Sequence, residues 1–258
     1  MTGNSHGLVV QERDRHLLRE LSVMRVIDRE QAKLIAGFGS TTRANARLLA
    51  LTRTGLLKRF FLGTDAGGKK ALYALSPKGA TLVQVPCRGP RRSQDQVLAT
   101  DLFSNHQLFV NEIYCTLKYR PIPGPEARFI RWVSFSEPLN GGLSLIPDGY
   151  VELSATDRLL AAFLEVDLGS ESLSVWKAKV QNYLRYAVSG VFKEHFGQAQ
   201  FRVLVVTNSE RRMNSIRSVV ANATDKIFWL STFESIERCG FWSKLWLRPK
   251  VDERQALL

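Results

Sequence analysis

Cysteine is scarce in this chain. Cys87, Cys115 and Cys239 are the only three among 258 residues, odd in number, widely scattered and without metal-ligand spacing. They exclude a disulfide framework and read as reduced, structural residues. Four isolated histidines offer no zinc site either. No apolar run approaches the roughly 20 residues of a membrane-spanning helix, and no cationic-apolar-small pattern opens the chain as a secretion signal would. A cytoplasmic protein without a membrane partner is expected. Acidic residues are few in the first 100 positions, 7 Asp/Glu against 17 Lys/Arg, so that this stretch carries most of the net charge of +12. Such a surplus attracts a polyanion, and with no membrane segment the expected polyanion is nucleic acid.

What is present is an ordinary globular composition, 45% apolar, with length for one large or two modest domains. Leu17, Leu18, Leu21 and Met24 recur at near-helical spacing. Asp28 caps a second helix, Arg29 to Ala36, which Gly37-Phe38-Gly39 breaks. Ser40 caps a third, in which Ala44, Leu48 and Leu51 form an inward stripe and Thr42, Arg43, Asn45 and Arg47 are left outside. The strand 55–62, a turn at 65–70 and the returning strand 71–75 follow. Three helices and a hairpin are the plan of a winged helix-turn-helix. The third helix is then the recognition helix, and Lys69 and Lys70 at the hairpin tip are placed to reach phosphates.

Residues 86–100 mix Pro, Gly and Arg88, Arg91 and Arg92 without periodicity and read as a basic linker, with Arg91 and Arg92 set to touch DNA. The expected domains are therefore 1–85 and 101–258. In the second, the pattern predicts a helix over 101–119, strands at 127–135, 145–153 and 159–168, a helix over 173–188, a strand at 201–207, a helix over 210–221 and a short strand at 227–230. Val180, Leu184 and Ala187 are the expected buried stripe of the 173–188 helix.

Carboxylates concentrate at the ends of these strands. Asp148, in Pro147-Asp148-Gly149, closes one apolar run. Glu165 and Asp167 end the next, two apart and so on one face of a strand. Three converging acids repel one another and are costly to desolvate unless a cation sits among them, and a hard ion, Mg²⁺ or Mn²⁺, is the natural occupant. The arrangement resembles the PD-(D/E)XK nuclease superfamily, the restriction-endonuclease fold, with Asp148 as first acid and Glu165 as second. The departure is Asp167, which stands where that superfamily has its lysine. The resemblance implies that Lys179 or Lys177, on the following helix, takes its place, that Glu112 on the first helix adds an acid, and that Asp148, Glu165 and Asp167 hold the metal. The expected fold class is α+β: a winged helix followed by a restriction-endonuclease-like α/β core with a mixed central sheet.

Taken whole, winged helix, Pro-Asp, Glu-x-Asp and Lys179-x-x-x-Tyr183 over residues 10–235 resemble the replication-relaxation family of mobile elements and the MOB-C class of plasmid relaxases. That resemblance implies a metal-dependent nickase acting on double-stranded DNA at a transfer or replication origin, with a coupling protein or accessory relaxosome protein as further partner. The clustered histidines of the commoner relaxases are absent. Tyr183 and Tyr186 are structural or phosphate-contacting groups if cleavage is hydrolytic, and the first suspects as nucleophiles if it is covalent. Two other readings stand beside this one: a non-catalytic winged-helix regulator with a decayed nuclease fold, and an interaction protein that recruits another relaxase or helicase.

Overall fold

The computed structural model describes residues 8–63, 67–89, 97–98, 102–124, 126–139, 142, 144–155 and 158–258. The chain divides into two compact units, Met1–Arg120 and Pro121–Leu258.

The first unit runs α1 (Glu12–Met24), β1 (Val26–Asp28), α2 (Arg29–Ala36), α3 (Thr41–Arg53), β2 (Leu57–Gly63), β3 (Lys69–Leu75), α4 (Pro77–Val83), β4 (Val97–Leu98) and α5 (Leu102–Tyr119). The caps act as the sequence suggests. Asp28 Oδ1 accepts from the Gln31 N–H at 2.9 Å, and Ser40 Oγ accepts from Arg43 at 3.2 Å. Ala44, Leu48 and Leu51 are fully buried. β2 and β3 form an antiparallel hairpin from Leu57↔Leu75 to Gly63↔Lys69, and β1 pairs along β3. The resulting sheet has the order β1-β3-β2-β4. β1 and β4, three and two residues long, are too short to leave a periodic signal.

The sequence assigns α5 to the second domain, and here the structure differs. α5 belongs to the first unit. Asn111 Nδ2 donates to Met24 O at 3.1 Å and Val26 O at 2.6 Å, satisfying carbonyls on either side of Arg25, whose φ of 65° turns the chain from α1 into β1. Tyr114 and Lys118 both donate to Glu20, at 2.5 and 2.7 Å. Buried polar groups, invisible to a hydrophobic pattern, decide where this helix goes.

The second unit comprises β5 (Arg128–Val133), β6 (Gly149–Ala155), β7 (Arg158–Asp167), α6 (Leu173–Val188), α7 (Val191–Phe196), β8 (Arg202–Thr207), α8 (Glu210–Ala221), β9 (Phe228–Thr232), α9 (Phe233–Cys239), β10 (Trp246–Arg248) and β11 (Val251–Gln255). Its seven strands form one mixed sheet, β11-β10-β9-β8-β7-β6-β5. β5, β6 and β7 are antiparallel neighbours, while β7, β8 and β9 are parallel. Parallel neighbours need crossovers, and α6 and α8 supply them. Both lay apolar residues on one sheet face: Trp176, Val180 and Tyr183 from α6, Met213, Ile216 and Val220 from α8, against Phe163, Val203, Val205, Phe228 and Leu230. The other face of β7 is buried as well, at Leu160, Ala162, Leu164 and Val166, which is why this strand reads as a continuous apolar run.

The buried stripe of α6 is displaced from the expected one. Trp176, Val180, Tyr183 and Tyr186 are buried, Leu184 is partly covered and Ala187 is exposed. The large rings of Tyr183 and Tyr186 win the inward positions by packing on Phe163, with centroids 5.7 and 6.0 Å away.

Candidate functional site

β7 ends in Glu165-Val166-Asp167, and its period of two turns both carboxylates toward the face that carries α6 and α8. Asp148 stands just before β6. Its N–H donates to Leu164 O at 3.1 Å, and its Oδ2 accepts from the Val166 N–H at 2.7 Å, so the side chain closes the end of the β6–β7 ladder beside Glu165. Gly149 allows the close approach that fixes this turn, because a Cβ there would overlap the Trp132 ring. The Pro-Asp-Gly spacing thus has a steric reason.

Glu165 is 1% exposed. Its Oε1 accepts from the Tyr183 hydroxyl at 2.6 Å, and its Oε2 from Lys179 Nζ at 2.8 Å. The Lys179 ammonium also lies 2.9 Å from Glu171 Oε2 and 5.2 Å from the centre of the Trp176 ring. Tyr183 and Lys179 are one helical turn apart, so a single face of α6 grips Glu165 from two sides. Burial pushes the Glu165 carboxyl up to about 7, with Asp148 adding to the rise and Lys179 opposing it. Burial opposes the charge on Lys179, but Glu165 and Glu171 outweigh it and raise the ammonium's pKa above its ordinary value. Lys179 is a fixed positive charge.

Asp167, two residues on, sits in a different environment. Arg212 at the start of α8 grips it with Nε on Oδ1 at 2.7 Å and Nη2 on Oδ2 at 2.8 Å. The Trp176 indole donates to Oδ2 at 2.6 Å, and the Gly169 N–H to Oδ1 at 2.7 Å. Burial would raise this carboxyl, but these donors overcome it and hold Asp167 below the usual carboxylate range. The expected convergence of three acids is therefore corrected. Same-face spacing is present, yet Arg212 claims Asp167, and among the described residues no group of three His, Cys, Asp or Glu is placed to hold a metal ion.

The other expected residues are dispersed. Lys177 is exposed on α6. Glu112 lies in the first unit, on α5, 3.2 Å from Arg120 Nη2. Tyr186 is buried in the aromatic cluster, and its hydroxyl has no partner among the described residues. On α3, Thr42, Arg43 and Asn45 are exposed. Arg47 is turned inward, with Nε 2.9 Å from Asp14 Oδ1 and Nη2 on Val9 O, so it ties α3 to α1. Lys69 is exposed, and Lys70 pairs with Asp28 at 3.0 Å. Arg91 and Arg92, with part of the 65–70 turn, lie outside the described residues.

Sequence reasoning missed Glu171, Trp176 and Arg212 as members of this group. Arg212 carries no local signal, since it joins Asp167 across 45 residues. Glu171, just before the Ser172 cap of α6, had one in its position beside the strand-to-helix turn.

Among the described residues no helix is long and apolar enough to cross a membrane. No curated protein and no solved structure matches the chain. A family model described as replication-relaxation matches residues 18–200, well over half of the chain, and the chain accordingly belongs to the replication-relaxation family.

Proposed function

We propose that this protein binds DNA of a plasmid or related mobile element and cuts one strand at a transfer or replication origin by metal-dependent hydrolysis. The observation that carries the reading is the approach of Lys179, from α6, to within 2.8 Å of Glu165, beside Asp148 on the neighbouring strand. Two acids and a lysine at the end of adjacent strands are the elements of the PD-(D/E)XK site, and the order of β5, β6, β7, α6 and β8 supports a nuclease-like core. Three helices followed by the β2–β3 hairpin support a winged helix-turn-helix in the first unit, with Thr42, Arg43, Asn45 and Lys69 facing the duplex.

Asp148 and Glu165 suit Mg²⁺ or Mn²⁺. Such an ion keeps several waters and needs only one or two protein carboxylates. A donor set of oxygens alone fits a hard ion. Burial is the chief cause of the Glu165 rise and Asp148 adds to it, so a cation beside the two carboxylates would favour their charged forms. When bound, the ion would polarise the scissile phosphate and lower the pKa of a bound water. Lys179 stays protonated, so its role is to offset charge building on the phosphate rather than to remove a proton. Tyr183 holds Glu165 in orientation, and Asp167 with Arg212 and Trp176 fixes α6 against β7. Tyr183 and Tyr186 are both fully buried with raised pKa values, which favours water over tyrosine as the nucleophile.

The non-catalytic regulator draws support from one feature: both Glu165 oxygens already accept hydrogen bonds from within the protein. Conversion of supercoiled plasmid carrying the element's origin to open circle, with Mg²⁺ and not with chelator, decides between the two.

A further inference from the structure

Three neighbouring strands of the second sheet carry a group that the reading above does not use. Arg202 opens β8, Trp229 lies in β9 and Arg248 ends β10. The pairings Leu204↔Trp229 and Leu247↔Leu230 set all three on the sheet face opposite α6 and α8, with Trp229 on the strand between the two arginines. The guanidinium carbon of Arg202 is 4.5 Å from the Trp229 ring centre, and that of Arg248 is 5.8 Å away. Each arginine reaches a backbone carbonyl, Arg202 that of Leu257 at 2.6 Å and Arg248 that of Asp225 at 3.0 Å.

Neither is paired with a carboxylate among the described residues. In the same unit Arg131, Arg212 and Arg217 each have one, in Glu152, Asp167 and Asp252. The Arg248 Nε is buried and has no acceptor among the described residues. Burial first, and the charge of Arg248 second, lower the Arg202 pKa. Two half-buried like charges on one ring, with a buried N–H unmet, form an arrangement that an anion completes.

We infer that Arg202 and Arg248, separated by Trp229, form a phosphate-binding site whose ligand is the backbone of a DNA strand. Guanidinium forks match phosphate oxygens, and the rigid indole holds the two forks apart on one surface. The choice of a DNA phosphate over a free one rests on the function proposed above, whereas the anion site does not. The register Ala162↔Arg202 puts Arg202 beside the middle of β7, three residues before Glu165 and on the opposite face. The site therefore holds a stretch of strand away from the scissile group.

The test titrates the full chain with a single-stranded 20-mer and with inorganic phosphate, in chelator, across a range of salt. Arg202→Gln with Arg248→Gln is expected to weaken oligonucleotide binding about tenfold or more and to reduce the salt slope by about 1.4, two phosphates at roughly 0.7 each. Arg202→Lys with Arg248→Lys keeps the parent slope. Should the double glutamine variant not fold, Arg202→Gln alone reads the same effect at about half the change in slope. Unchanged affinity and slope in the glutamine variants overturn the site. Inorganic phosphate binding as tightly as the oligonucleotide, and lost in the same variants, overturns DNA as its ligand. Chelator keeps cleavage out of these isotherms, so a parent protein that fails to nick leaves them intact and the two proposals fail separately.

Discussion

Lys179 stands 2.8 Å from Glu165 across the junction of α6 and β7. The position two residues after Glu165, where a strand lysine would reach the same point, is held by Asp167 and locked by Arg212. The strand offers an acid to α8, and α6 offers a lysine to the strand. The two carboxylates differ accordingly: burial raises Glu165, whereas against burial Arg212, Trp176 and the Gly169 N–H hold Asp167 low.

Asp167→Asn separates these roles. It breaks a buried, hydrogen-bonded ion pair and is expected to lower stability by about 3–5 kcal/mol, measured by denaturant unfolding. Mn²⁺ binding by calorimetry is expected to remain, while Asp148→Ala abolishes it. Loss of Mn²⁺ binding in a folded Asp167→Asn variant would return Asp167 to the metal site.

The two tyrosines of α6 are expected to behave oppositely. Tyr183→Phe removes a donor from buried Glu165 and costs about 1–3 kcal/mol. Tyr186→Phe removes a buried hydroxyl with no partner among the described residues, and is expected to leave the melting temperature unchanged or raise it. Equal destabilisation by both would show that Tyr186 has a partner in solution.

Glu165 makes stability depend on pH. The folded protein holds its proton up to about pH 7, whereas the unfolded chain releases it near about pH 4.3. This contribution is fully present below the unfolded value and is lost as pH rises through the folded one. Glu165→Gln escapes the loss. The stability difference between variant and parent, measured in chelator, is expected to shift in the variant's favour as pH rises from about 4 to about 8, and a difference that does not change with pH contradicts the assignment.

On α3, Arg43→Ala is expected to weaken duplex binding without changing stability. Arg47→Ala strips the fully buried Asp14 of its partner and is expected to destabilise the protein by about 3–5 kcal/mol. Fluorescence anisotropy with duplex DNA and thermal unfolding, run on both variants, separate the two effects. A stable Arg47→Ala variant with weakened binding would place Arg47 on the DNA after all.

Most of this fold was legible because its signals are local. Caps at Asp28 and Ser40 fixed helix starts, and the apolar run before Glu165 marked β7. What escaped was decided at long range. Asn111 draws α5 into the first unit through the carbonyls of Met24 and Val26, and Arg212 takes Asp167 from a metal set that spacing alone suggested. Spacing shows which face a side chain leaves from, but not which charge reaches it first. Lys179 entered beside Lys177 only through the resemblance; helical spacing put it on one face with Tyr183, and that both meet the same carboxylate is a finding of the structure.

The central claim, strand cleavage by Asp148, Glu165 and Lys179, is met most directly by the rate at which Lys179→Ala nicks supercoiled origin plasmid in Mg²⁺, compared with the parent at matched DNA and Mn²⁺ binding. The account predicts that the parent nicks, that the variant is slower by about 10²-fold or more, and that detergent denaturation releases DNA free of protein. A parent that leaves the plasmid supercoiled, a variant that nicks at the parent's rate, or protein covalently joined to the cut strand would contradict it.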